Sequence, residues 1–304
     1  PAWYADGIGG AFGQTPALAA RLKLTYADGT SEVVETGTDW TASYDTPYLR
    51  TGIYEGELYD ARHERDAFAC AGKTAAVVVS AFKGTLEKPR GAEVYLRRDL
   101  ALAPVEAYVW RGTVGAAETN AFGRVKILRR YQPGEKMTLQ PGEQLVLDFG
   151  QNAAAIPEVV ATAAAGGALT VKGGEMLNDG YGEKSRGNDG PAGSVYFANY
   201  RGLKGDGQAE VTYVFAGKGT ETYLPSFTFM GYRYARVTAT GPVEIERIVS
   251  IPVTSVAKAD ERGTLKTGNA DVNRLIKNCL WGQYSNYVSV PTDCPQRNER
   301  LGWT

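Results

Sequence analysis

NADVNRLIKNCLWGQY, residues 269–284, is the stretch that decides how this chain folds. Val272, Leu275, Ile276, Cys279, Leu280 and Tyr284 recur at i, i+3, i+4, i+7, i+8 and i+12, a spacing that gathers apolar side chains on one face of a 3.6-residue helix. Asn269 offers a side-chain oxygen to the first free N–H groups, and Asp271 sets a negative charge at the positive end of the helix dipole. The stretch predicts an amphipathic helix running to about Asn286, with Cys279 in its core face. It is the first strong helical period in the chain.

Upstream the pattern changes to period two. Leu18, Ala20, Leu22, Leu24 and Tyr26 alternate, and Ala27-Asp28-Gly29-Thr30 turns the chain into Glu32-Val33-Val34, the signal for a β-hairpin. GIYEGELYDAR (52–62) alternates strand formers with charges and reads as a strand with a wet polar face, against a competing carbohydrate-facing role. Residues 75–81, 125–128, 144–149, 169–172, 211–215, 226–229 and 232–237 read as further strands, with Pro133-Gly134 and Pro141-Gly142 as turns. Short strands with recurrent turns predict antiparallel sandwiches. The chain is therefore expected to be mainly β up to a boundary near residue 257, where a helical domain starts.

Composition narrows the function. With 43% hydrophobic and 22% charged residues, the 304-residue chain has the make-up of a soluble protein with more than one core. A net charge of −1 gives no electrostatic attraction to nucleic acid or an anionic membrane, so neither is expected as a partner. Thirty-seven Gly and eighteen Tyr against three Met favour turn-rich β structure with polar aromatic surfaces. Cys70, Cys279 and Cys294 have no metal-type spacing and His63 is the sole histidine, which argues against a zinc site or a Ser-His-Asp triad. Cys279 reads as a core residue and Cys294 as a packing residue. Residues 183–207 form a long polar loop, and Glu175 and Asp179 before it offer carboxylates to a calcium ion or sugar hydroxyls; the plainer reading is a turn at Asn178-Asp179-Gly180.

Downstream of the helix, residues 291–304 read PTDCPQRNERLGWT. Pro291 halts a helix and Pro295 keeps Cys294 out of the α region, so the loop is stiff enough to hold side chains in fixed directions. Asp293 and Glu299 are the candidate catalytic carboxyl groups, with Arg297, Arg300 and Trp303 around them. An arginine beside a carboxylate favours its charged form, and an indole against one favours the proton; two carboxyls in opposed environments is the pattern of glycoside hydrolysis. A solvated turn with local Arg–carboxylate pairs is the alternative.

These fourteen residues resemble the signature that opens the catalytic domain of bacterial α-L-rhamnosidases, glycoside hydrolase family 78. GIYEGELYDARHE (52–64), LVLDFGQN (145–152) and PSFTFMGYRYARV (225–237) resemble the same family's β-domains in the family's order. The resemblance implies an inverting hydrolase that removes terminal α-L-rhamnose from glycosides or polysaccharides and requires no cofactor. It implies two consecutive antiparallel, jelly-roll-like β-sandwiches, the C-terminal part of the first at 1–104 and the second at 105–256, ahead of an (α/α)6 barrel that starts within 257–304 and whose first helix is the one predicted above. On the same ground Asp293 and Arg297 bind the sugar's hydroxyls and Trp303 walls the pocket. The family places an acid directly after the motif's Arg, where this chain has Asn298; counting back from Trp303 puts Glu299 in the acidic position, so Glu299 is the expected general acid. The family's general base falls past residue 304, and these residues alone are expected to be inactive. The readings from a different class are a carbohydrate-binding β module and a β module that buttresses the barrel.

Overall fold

The computed structural model describes residues 18–38, 45–53, 56–65, 91–115, 122–180, 189–197 and 210–296, with Trp40, Ser43 and Glu87. Strands β1 (Arg21–Thr25) and β2 (Ser31–Glu35) form the expected hairpin, in which Gly29 takes φ +83° and Asp28 Oδ1 accepts the Thr30 N–H at 2.9 Å. The other strands are β3 (Tyr48–Gly52), β4 (Gly56–Asp60), β5 (Tyr95–Leu96), β6 (Glu106–Val114), β7 (Arg124–Tyr131), β8 (Met137–Leu139), β9 (Gln144–Ala163), β10 (Ala168–Gly174), β11 (Glu210–Val214), β12 (Thr220–Tyr223), β13 (Met230–Ala239) and β14 (Val243–Thr254). Helix α1 (Ala270–Asn286) follows, and then the short pair β15 (Tyr287–Val288) and β16 (Val290–Pro291). The fold is mainly β with a helix after the strands.

β9 is the spine. It pairs antiparallel with β6, β12, β13 and β14, and between the pairs Tyr232–Ala153 and Tyr234–Asp148 the register shifts because β9 carries extra residues, among them Gly150 with φ +72°. Alternation along β9 feeds two cores at once: Leu145 and Leu147 enter the main cluster with Phe149, Val171, Tyr213, Tyr232 and Ile245, while Val146 enters a second with Tyr108, Trp110, Val125 and Val195. A third cluster, Ala154, Ile156, Phe229, Ile251 and Val253, forms beyond the bend and takes in Val288 from after the helix. β4 joins this system from early in the chain by pairing parallel with β11.

Several expectations change. The strand expected at 75–81 lies outside the described residues, as does Cys70. Residues 226–229 are not a strand, because the N–H groups of Ser226 and Phe227 bond to the Glu57 carboxylate instead of to a ladder. The polar side of β4 is not wet: Glu57 and Asp60 are fully enclosed, each with protein donors in place of water. Asn178 of the expected turn is buried, holding the Asp189 N–H at 2.8 Å and donating to Ser194 Oγ, so it ties the described part of the polar loop down.

Helix α1 begins as expected, with Asn269 Oδ1 accepting from the N–H groups of Asp271 and Val272 at 2.9 and 3.2 Å. Its seat is different. Trp281, Tyr284 and Ser285 turn towards β9 and β14, whereas Val272, Leu275, Cys279 and Leu280 are exposed. Cys279 is thus not a core residue within the described residues: the stripe that set the helical period points away from the sheet. No helix among the described residues is long and apolar enough to cross a membrane.

Candidate active site

The segment that carries Asp293 is held at both ends. As α1 finishes, the chain reverses through β15 and β16 about Ser289, whose φ of +67° is unusual for a residue with a Cβ. Ser255 at the end of β14 fixes this reversal by donating its N–H to Tyr287 O at 2.6 Å and accepting the Ser289 N–H on Oγ at 2.8 Å. Thr292 N donates to Asn286 O at 2.7 Å, which closes the loop back onto the last helical residue. Asp293 follows, exposed, and its Oδ2 accepts the Cys294 thiol at 3.1 Å. Cys294 is half-buried, in keeping with a packing residue, and Pro295 is buried.

Pro295 and Gln296 rest on the start of β13. A Cβ placed on Gly231 would fall inside the van der Waals envelopes of Gln296 N and the Pro295 carbonyl carbon, and 2.6 Å from the Pro295 carbonyl oxygen. The strand start is itself pinned from β4. Glu57, 0% exposed, accepts the N–H of Ser226 and of Phe227, each at 3.1 Å, and the Tyr223 hydroxyl at 2.9 Å. Burial, and then the neighbouring carboxylate, push the Tyr223 hydroxyl far above its usual range. On the far side of β13, Arg233 makes a two-pronged pair with Asp148 of β9 at 2.8 and 2.7 Å. The stretches 52–64, 145–152, 225–237 and 291–296 thereby meet at β13.

A second anchor joins the helix to the sheet. Arg97, 4% exposed, grips Asp99 through two nitrogens at 2.8 and 2.9 Å, donates to Glu261 at 2.6 Å and to Val256 O at 2.9 Å, and lies 5.5 Å from the Tyr284 ring centroid. Tyr284 Oη closes the set by donating to Glu261 at 2.9 Å. Hydrogen bonds from Arg97 draw the Asp99 carboxyl down to about 2 and lower that of Glu261. Between these anchors an open, largely apolar groove of about 730 Å³ runs past Ile53, Leu96, Phe227, Phe229, Val290 and Thr292, so it borders the loop on the β side.

Of the residues expected from the sequence to form the site, Asp293 is placed on a rigidly held, solvent-facing loop. Arg297, Glu299 and Trp303, with Asn298 and Arg300, lie outside the described residues. No group of three or more His, Cys, Asp or Glu side chains among the described residues is arranged to hold a metal ion; Glu175 instead accepts the Asn152 amide at 2.8 Å. Sequence reasoning missed Glu57, Arg97 and Gly231. The first sits inside a quoted stretch, but its donors come from another part of the chain; Arg97 carries no local signal; Gly231 is marked only by its place within PSFTFMGYRYARV.

Comparison with known proteins fits this arrangement. Residues 3–96 match the α-L-rhamnosidase N-terminal domain, 138–255 the bacterial α-L-rhamnosidase concanavalin-like domain, and 260–304 the bacterial α-L-rhamnosidase six-hairpin glycosidase domain. An α-L-rhamnosidase of Streptomyces avermitilis is 32% identical over 308 residues, covering 100% of this chain and 26% of that protein. One from Alteromonas sp. is 26% identical, covering 95% of this chain and 27% of its own length. The chain thus spans about a quarter of the length of the curated relatives it matches. Among solved structures, the Streptomyces avermitilis α-L-rhamnosidase complexed with L-rhamnose superposes with a TM-score of 0.69 at 28% identity, covering 96% of this chain and 24% of the other. The α-L-rhamnosidase from Aspergillus terreus does so with a TM-score of 0.65 at 26% identity, covering 94% and 28%. With three rhamnosidase domain types in order and the matching fold beneath them, the chain belongs to the α-L-rhamnosidases of the glycoside hydrolase family 78 type.

Proposed function

We propose that the protein containing this chain hydrolyses terminal α-L-rhamnosyl residues of glycosides or polysaccharides. The observation that carries the reading is the run of three rhamnosidase domain matches ending on the anchored loop of Asp293. The units are proposed to be 1–104, 105–256 and 257–304, the last opening the catalytic barrel; each contains one matched range, 3–96, 138–255 and 260–304.

The reaction is proposed to be a single displacement with inversion. Glu299 donates a proton to the departing glycosidic oxygen, while a carboxylate elsewhere in the full protein activates water on the opposite face of the sugar. Asp293 and Arg297 hold the sugar hydroxyls, and Trp303 forms an apolar wall. An exposed Asp293 on a loop tied to both the helix end and β14 suits the first role, because a carboxylate that already points into solvent gains an oriented partner without rearrangement. A pair of carboxyl groups supplies this chemistry without a cofactor.

The test is release of rhamnose from p-nitrophenyl α-L-rhamnoside by the full-length protein, with the anomer formed first read by NMR. Glu299→Gln is expected to lower kcat by about 10² to 10⁴-fold. Undiminished activity in that variant moves the acid elsewhere, and release of a different sugar removes the assignment. The second reading, β-domains that buttress the barrel, is favoured by the contact of Gly231 with Pro295 and Gln296 and is compatible with the first.

A further inference from the structure

The contact between β13 and the acidic loop leaves no room for a side chain. Gly231 needs to be glycine for space: a methyl group would overlap backbone atoms of Pro295 and Gln296, which cannot swing aside as the tip of a flexible side chain can. Neither side yields easily. Met230 and Tyr232, flanking Gly231, are 1% and 0% exposed in the main core, and the preceding turn is fastened by Glu57 at Ser226 and Phe227. On the other side Thr292 is tied to Asn286, so the segment between Thr292 and Gln296 is clamped at both ends with Asp293 between.

We propose that Gly231 is a positioning residue for the reaction: the start of β13 is a backbone seat that fixes where the 293–296 loop presents its carboxylate to the sugar. The proposal rests on the rhamnosidase reading above and deepens it by giving the β-domain a share in setting active-site geometry. Glu57 belongs to the same device at one remove, because it fixes the seat rather than the loop. The loop is placed by exclusion, since it can approach only as closely as a bare Cα allows. A methyl at residue 231 would move the loop outward and carry Asp293 with it.

The experiment is Gly231→Ala in the full-length protein, read in two ways. The first is steady-state kinetics on p-nitrophenyl α-L-rhamnoside. A displacement of about 1 Å in a positioned group can cost about 10²-fold, so kcat/KM is expected to fall by roughly that factor with a raised KM. Mere loss of folded protein lowers apparent kcat and leaves KM where it was. The second readout is the rate at which a thiol reagent labels Cys294, resolved by peptide mass. It is expected to change several-fold while Cys279 keeps its rate. A folded variant with wild-type KM and wild-type Cys294 labelling overturns the proposal. If the wild-type protein releases no rhamnose, the functional reading fails by itself and Cys294 labelling alone decides whether the seat places the loop. Should Gly231→Ala not fold, Glu57→Gln keeps Gly231 and the shape of the buried side chain but gives up acceptor capacity towards the Ser226 and Phe227 N–H groups, which loosens the seat from its own side; the same two changes are expected, smaller, and their absence overturns the seat.

Discussion

Arg97 and Glu261 meet at 2.6 Å across 164 residues of sequence, and this contact ties the first residues after the β-sheet to the strand edge before it. Arg97 also holds Asp99 and the Val256 carbonyl, so its removal takes a close donor from two carboxylates and a backbone acceptor together, leaving Glu261 with Tyr284 and Asp99 with Lys258 at 3.7 Å. Because Asp99 and Glu261 are about one-third exposed, water recovers part of the loss. Arg97→Ala is expected to lower stability by about 2 kcal/mol in chemical denaturation, below the 3–5 kcal/mol typical of a fully enclosed pair. Amide exchange in α1 should rise with it. Unchanged exchange in the helix would show that Arg97 does not anchor it.

The same cluster predicts an acid limb. The Asp99 carboxyl is drawn from 3.8 down to about 2 in the folded protein, so it binds its proton less readily folded than unfolded. Its stabilising contribution is therefore present above pH 3.8 and lost as the pH falls through about 2. Glu261, also lowered, adds a contribution of the same sign. Urea denaturation of Asp99→Asn across this range should give a flatter stability curve than wild type. Parallel curves would remove Asp99 from the account.

Glu57 gives a larger effect, because it is fully buried and three donors converge on it. Glu57→Ala leaves the N–H groups of Ser226 and Phe227 and the Tyr223 hydroxyl without their acceptor. At about 1–3 kcal/mol for a buried donor left unmade, a loss of about 3 kcal/mol or more is expected. A loss under about 1 kcal/mol would mean that water reaches the site.

The two faces of α1 should respond differently. In the 304-residue chain, Leu275→Ser and Cys279→Ser alter side chains already exposed and are expected to shift stability by less than about 0.5 kcal/mol. Tyr284→Ala removes a buried ring and the bond to Glu261, for about 3 kcal/mol. Thermal melts of the three variants separate the faces, and equal effects would place the helix differently.

Local chemistry was readable and partnership was not. The β1–β2 hairpin and the start of α1 were legible because Asp28-Gly29 and Asn269 act on neighbours within three residues. β9 was legible only up to Phe149: its continuation through Ala153–Ala155 is buried on both faces and loses the alternation that marks a half-exposed strand. Ser226–Phe229 has strand formers but spends its N–H groups on Glu57, and no window of local sequence reveals an acceptor lying that far away. The helical stripe was read with the right period and without a partner, since periodicity shows that a face is apolar and not what covers it. At the candidate site the prolines announced a stiff loop around Asp293, whereas the empty space at Gly231 is defined by atoms of Pro295 and Gln296.

The parallel pairing of β4 with β11 has a consequence for synthesis. Asp60 emerges from the ribosome about 150 residues before Val214, its ladder partner. At about 5–20 residues per second, β4 waits roughly 8–30 seconds for that partner. During this interval Glu57 also lacks Tyr223, Ser226 and Phe227, so its carboxylate stays hydrated and the segment is held open. An early glutamate that cannot be buried before its donors arrive delays closure of the N-terminal edge until the strands that complete it have been made.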